Sequence, residues 1–147
     1  MNEEIYLGKG MKFPPQINPT TGRFVCVSGK ESVRESVYLI LMTQKTERKM
    51  RLDYGCNAAG YVFNSVDATT LNLMSRELER DILKNEPRIE NVSIKMDTTS
   101  KEGCLYINVD YQLRNGNVSE NMVFPFYLGE EPVQEDVYET MEDDAVE

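Results

Sequence analysis

The residue types that could do chemistry are few in this chain. It contains no histidine, and its three cysteines, Cys26, Cys56 and Cys104, are far apart and form no CxxC pair. A zinc site of the usual Cys/His kind is therefore nearly excluded. A Ser–His or Cys–His nucleophile pair is excluded outright. An odd number of scattered thiols reads as small buried side chains in a reducing compartment. Carboxylates remain, and two of them alone can hydrolyse a glycoside. No Asp or Glu, however, sits in an apolar stretch that would raise its pKa. The nearest is Asp110, at a polar-phase position of a strand pattern, where a solvated or paired carboxylate is expected. "GKG" at 8–10 and "SGKE" at 28–31 lack the G-x-x-x-x-G-K-[ST] spacing of a phosphate loop. The expectation is no catalytic residue, no metal, no cofactor and no small-molecule substrate.

The 147 residues, with 40% hydrophobic and 28% charged content, fit one soluble domain with a real core. No apolar run approaches the roughly 20 residues of a membrane span. The start, "MNEEIYLGKG", is not a signal peptide. These features predict a protein held in a cytoplasm until it is assembled into something. The net charge of −9 is uneven: nine of the 25 acids fall in residues 129–147, which hold no Lys or Arg, leaving 16 acids against 16 bases in residues 1–128. No basic face is visible, so nucleic acid is not an expected partner.

The organisation that follows is a single α+β domain. Residues 1–27 read as an extended N-terminal arm, with a short strand at Phe24–Val27, a turn at "NPTTG" (18–22) and Pro14–Pro15 forbidding regular helix. A first helix is expected from Ser28, where Ser28 and Glu31 fit a capping box. Val33, Val37, Ile40 and Leu41 make its apolar face, and it should end near Thr43. "AAGYVF" at 58–63 is a short apolar piece. Asp67 is a fitting N-cap for a second helix, carried by Leu71, Met74, Leu78 and Ile82 to about Asn85. The period then changes to two through Val92, Ile94 and Met96, and again through Leu105, Ile107, Val109, Tyr111 and Leu113. "NG" at 115–116 predicts a type I′ hairpin turn. "NMVFPFYL" at 121–128 returns, with Pro125 pointing to an edge strand or a bulge. Two main helices on a small antiparallel sheet result, spanning 28–128, followed by an acidic, mobile tail over 129–147.

One stretch does not fit helix stability. "NEPRIENV" (85–92) puts Glu86 at a helix C-terminus, where the macrodipole favours cations. Pro87 stops the helix and Arg88 follows. Internal pairing, for instance Arg88 with Glu47 or Glu86 with Arg48, is one reading of this corner; display to a partner is the other. The arm and the proline-marked edge strand, which could accept a strand by β-augmentation, also suggest binding.

Together these residues resemble a known family. "FPP" at 13–15, a helix ending "ILMT", "ER" at 47–48, "DYG" at 53–55, a second helix closed by "EPRI", then "YQL" and "NMVFPFYL" follow one another in order. The chain from Gly8 to Leu128 is similar to the baseplate wedge and sheath-initiator family of contractile phage tails, which includes the type VI secretion subunit TssE. The Glu-Pro-Arg triplet is its most specific mark. Family members often carry a glycine just before the Glu-Arg pair, where this chain has Thr46, and many have a proline soon after it, where this chain reads "KMRLDYG". Some family labels mention lysozyme, which no acid pair here supports.

The resemblance implies a structural subunit of a baseplate, in a phage tail, a tail-like particle or another injection system. It implies contact with wedge proteins through Glu86, Pro87 and Arg88, with Glu47 and Arg48 in support. It implies that the edge carrying Val123, Phe124, Pro125 and Phe126 is offered to sheath subunits, near tail tube or hub proteins. An alternative is a regulatory, anti-adaptor-like binding protein of the same fold type.

Overall fold

The computed structural model describes residues 5–61, 67–100 and 103–127. Val62 and Phe63 of the apolar piece, and the acidic tail, lie outside the described residues. A 3-10 turn at Ile5–Leu7 leads into β1 (Lys9–Met11) and, after a loop, β2 (Cys26–Ser28). Then come α1 (Gly29–Met42), a single helical turn α2 (Ala58–Tyr61), α3 (Ala68–Asn85) and the strands β3 (Ile89–Asp97), β4 (Cys104–Leu113) and β5 (Ser119–Tyr127). The architecture is α+β, with a two-stranded sheet β1–β2 and a three-stranded sheet in the order β3–β4–β5, both antiparallel. Among the described residues, no helix is long and apolar enough to cross a membrane.

Residues 9–27 of the expected arm, with Ser28, pair as a ribbon. Lys9 pairs with Ser28 and Met11 with Cys26, and Ile17 bridges Phe24. "NPTTG" makes this possible: the Asn18 side chain accepts the Thr20 amide at 2.9 Å, and Gly22 takes a φ of 67°. Ribbon pairing also explains why the expected capping box at the head of α1 is not made. Ser28 is extended, accepts no side-chain cap bond, and is held by β1. Asp67 does cap α3, accepting the Thr70 amide at 3.2 Å.

The core forms where the periodicities place it. Val33, Val37, Ile40 and Leu41 of α1 and Met74, Leu78 and Ile82 of α3 are buried with Ile107, Val109, Tyr111 and Leu113 of β4. A line of rings, Phe13–Tyr38–Phe124–Phe126, ties the ribbon to α1 and β5, with neighbouring centroids 6.0, 5.6 and 6.4 Å apart. Two local expectations change. The β4–β5 connection is not a two-residue type I′ turn: the Leu113 amide bonds the Val118 carbonyl across residues 114–117, and only Asn115, not Gly116, has positive φ. The reason is Val118, which is drawn in against the core and fixes the longer loop. Of the thiols, Cys56 and Cys104 are buried, but Cys26 is exposed because it lies on the outer side of the ribbon.

Candidate functional site

The Glu-Pro-Arg corner is a closed electrostatic unit. α3 ends at Glu86, whose amide still bonds the Ile82 carbonyl while its backbone turns extended. Pro87 cannot continue the helix, so the chain swings into β3 and brings Arg88 back over the Glu86 side chain. Arg88 Nε donates to Glu86 Oε1 at 2.6 Å and Nη2 to Oε2 at 2.7 Å, the fork-on-fork arrangement of a planar guanidinium and a carboxylate. The Arg88 amide adds a third bond to Oε1. Glu86 is only 2% exposed. Burial by itself raises its pKa, but bonds from Arg88 and the Ser36 side chain outweigh this and hold it below the ordinary carboxylate value. A carboxylate is tolerated at a helix C-terminus here because it is neutralised within two residues.

The second function of the guanidinium is to hold distant segments. Arg88 Nη1 donates to the Leu7 carbonyl at 2.8 Å and to Ser32 Oγ at 3.1 Å. The Arg88 carbonyl accepts the Arg114 amide at 2.8 Å. One side chain thus fixes the 3-10 turn, the first turn of α1 and the end of α3, and its backbone fixes the β4–β5 loop. Neither Arg88–Glu47 nor Glu86–Arg48 forms; the pair is Glu86–Arg88 itself. In this fold Glu86 is turned inward with its oxygens taken, and what faces solvent at the corner is Pro87 and about a quarter of the Arg88 side chain.

Glu47 and Arg48 stand in a neighbouring loop, residues 43–57, tied to the end of α3. Glu47 Oε2 accepts the Gln44 amide at 3.0 Å, closing a turn. Arg48 and Arg51 stack on the partly buried Tyr54 ring, their guanidinium carbons 4.7 and 5.6 Å from its centroid. Lys84 near the end of α3 reaches Asp53 at 3.5 Å, and Lys45 reaches Asp81 at 2.7 Å. Thr46 has a φ of 75°, so the position before Glu-Arg needs the left-handed conformation that glycine takes freely. Gly55 is required sterically: a Cβ there would lie 2.3 Å from the Thr43 carbonyl oxygen.

The β5 residues form a separate surface. Pro125 pairs with Tyr106, at the far end of β4 from Leu113, which pairs with Ile89 beside the corner. β5 is an edge strand, as Pro125 implies. Val123 is half exposed, Pro125 and Phe126 are partly covered, and Phe124 faces the core at 5% exposure. The opposite edge, β3, is blunted: Glu79 of α3 caps its Ile94 amide at 2.9 Å, and its pairing shifts between Ile89 and Asn91.

Three features were not foreseen. Leu7 and Ser32 as Arg88 partners carry no local signal, being 81 and 56 residues away. Buried Glu35, which accepts the Phe13 amide at 3.2 Å and whose pKa is raised chiefly by burial, fastens the ribbon to α1. Asp81 did have a signal: it lies three residues after Leu78 on the apolar stripe of α3. Each of the buried carboxylates Glu35, Asp81 and Glu86 has its own internal partner. Among the described residues, no group of three or more Cys, Asp or Glu is placed to hold a metal ion.

Comparison with known proteins gives the family. The baseplate wedge protein gp25 of Enterobacteria phage T4 is 21% identical over 85 residues, which cover 58% of this chain and 64% of that protein, less than two thirds of its length. A crystal structure from Geobacter sulfurreducens, described as a tail lysozyme, is 38% identical and covers 70% of this chain and 94% of its own, with a TM-score of 0.63. A subunit in the baseplate of the anti-feeding prophage shares the fold at 24% identity and a TM-score of 0.58, covering 86% of this chain and 90% of its own. Residues 27–118, from the end of the ribbon through both helices to the β4–β5 loop, match the family of the baseplate wedge protein gp25, and the chain belongs to that family.

Proposed function

We propose that the chain is a structural subunit of the baseplate of a contractile tail or injection machine, that it joins wedge proteins to the region of the central tube, and that it starts sheath assembly. The observation that carries this reading is the asymmetry of the three-stranded sheet. Glu79 takes one amide of β3, that of Ile94, while β5 pairs on one side only among the described residues and has Val123 half exposed. An open edge of this kind accepts a partner strand through its main chain, and Pro125 limits where such a strand can sit. Val123, Pro125 and Phe126 meet the sheath strand; Phe124 supports them from inside. At the other surface, Pro87, the outer part of Arg88, Glu47 and Arg48 meet the wedge proteins, on a corner kept rigid by buried Glu86.

The role is architectural: Glu86 is held by Arg88, Glu35 accepts the Phe13 amide and Asp81 pairs with Lys45. The protein is made in the cytoplasm and then incorporated. Fractionation tests the reading: sedimentable particles are purified from producing cells, and the protein is quantified by blot and mass spectrometry. Recovery with tube and sheath proteins at a ratio compatible with sixfold symmetry is expected. Sheath particles forming while the protein stays free in the cytosol would remove the initiator role and leave a regulatory, anti-adaptor-like role in its place.

A further inference from the structure

The tip of the 43–57 loop carries more positive charge than the Arg48 assigned to the wedge contact. Arg48, Lys49 and Arg51 stand exposed around Met50, which is 95% exposed, and Leu52, which is 57% exposed. Among the described residues, no carboxylate forms an ion pair with any of these three cations; of the loop's own acids, Glu47 accepts the Gln44 amide and Asp53 pairs with Lys84. The tip is also built. The Thr46 amide bonds the Leu52 carbonyl at 2.9 Å, the Arg51 amide the Arg48 carbonyl at 3.1 Å, and the Cys56 amide the Thr43 carbonyl at 2.9 Å. Two of the cations are aligned by the Tyr54 ring. A preorganised cluster of positive charge around two bare aliphatic side chains fits a segment that alternates acids with apolar residues.

The chain supplies such a segment. Residues 130–147 carry nine acids and no base, interleaved with Val133, Val137, Tyr138 and Met141. We propose that the Arg48–Lys49–Arg51 tip is a docking site for an acidic segment, and that its occupant in the unassembled protein is the chain's own tail, residues 129–147.

Reach and charge both favour that occupant. A 19-residue tail extends up to about 60 Å, well beyond the dimensions of a domain this size. Tethering keeps its effective concentration in the millimolar range, so several weak contacts suffice. The rest of the chain is balanced, so no other acid excess competes for the tip. An exposed ion pair is worth only about 0–1 kcal/mol, which makes the contact reversible and salt-sensitive.

The test uses the full chain. Exposed Cys26 is replaced by serine, Ala145→Cys carries a nitroxide label, and amide signals are compared before and after the label is reduced. The expected result is selective loss of signal at residues 47–52, restored in about 0.5 M salt, where the screening length is only about 4 Å. Reversal of the tip charges (R48E, K49E and R51E together) should also restore it. If that variant misfolds, E142Q with D143N and D144N makes the same test from the tail. No selective loss, loss at the β5 edge or the ribbon instead, or loss seen only between labelled and unlabelled copies in a mixed sample would each overturn the proposal. None of these outcomes depends on what the baseplate partners are.

Discussion

Replacing Arg88 by alanine should destabilise the domain far more than its partial exposure suggests. The substitution removes four side-chain hydrogen bonds, two to Glu86 at 2.6 and 2.7 Å and two to Leu7 and Ser32 at 2.8 and 3.1 Å. It also strands a carboxylate that is 2% exposed at a helix C-terminus. Breaking a buried pair by deleting one partner costs about 3–5 kcal/mol, because the survivor keeps its charge without compensation. The Arg88 side chain is 25% exposed, so water can partly replace it. A loss of about 2–4 kcal/mol is the result, since solvent access trims the full penalty. For a domain of this size that lowers Tm by roughly 6–15 °C.

The assay is urea and thermal unfolding of the full chain by circular dichroism, with hydrogen exchange read at the arm. Exchange should quicken at residues 5–13 in Arg88→Ala, since Leu7 loses its donor. Arg88→Lys keeps the charge but not the fork, and should recover only part of the loss. Glu86→Gln on top of Arg88→Ala should restore stability relative to Arg88→Ala alone, because the stranded charge is gone. A loss below about 1 kcal/mol for Arg88→Ala, the range of an exposed ion pair, would refute the claim that the corner is a buried, coupled unit.

Three further outcomes follow from the same structure. Thr46→Gly should stabilise the domain by about 1 kcal/mol, as a β-branched residue at positive φ gives way to one without a Cβ; unchanged or reduced urea resistance would contradict this. Stability should fall as pH drops below the ordinary carboxylate value of 4.5, because the Glu86 pKa is lower in the folded state and its contribution is lost as pH falls through that folded value. Glu35, with its pKa raised, has the opposite sign just above 4.5, where acidification restores stability. Urea titrations across pH should therefore show a shallower acid limb in Glu86→Gln, with Asp67 and Asp97 still contributing to it, and a weaker upper limb in Glu35→Gln. Val123→Pro should leave the isolated fold largely intact, at an edge position, yet block sheath growth in an assembly assay; normal sheath length would dismiss β5 as the docking edge.

Much of the fold was legible in the chain because local rules and tertiary packing agree there. The apolar stripes of α1 and α3, the Asp67 cap and the alternation in β4 each point to elements that the core then rewards. Pro125 marks the edge because a proline has no amide to give to a second neighbour. The ribbon was half legible: "NPTTG" announces a reversal, but nothing near Lys9 says that it pairs with Ser28. The corner was legible as an anomaly and not as a structure. Glu86 at the end of a helix signals that something must neutralise it, and Arg88 two residues on is the nearest candidate. Because Pro87 stands between them, both readings of the sequence looked farther away for a partner.

That geometry bears on why a charged pair stands where an apolar one could. Replacing a buried ion pair by apolar side chains of similar size is often neutral or stabilising, so stability alone does not require Glu86 and Arg88. What an apolar pair lacks is direction. Arg88 still has Nη1 to place after its fork is satisfied by Glu86, and it places it on a carbonyl 81 residues away and on the head of α1. The position of the 3-10 turn is thereby set by the end of α3, not by apolar contact alone. If this is the reason, Glu86→Leu with Arg88→Met should unfold at a similar urea concentration to the parent chain while exchange at residues 5–13 becomes faster. Slow exchange at the arm in that double variant would mean that Leu7 is held by its burial, and that the guanidinium adds nothing to where the arm lies.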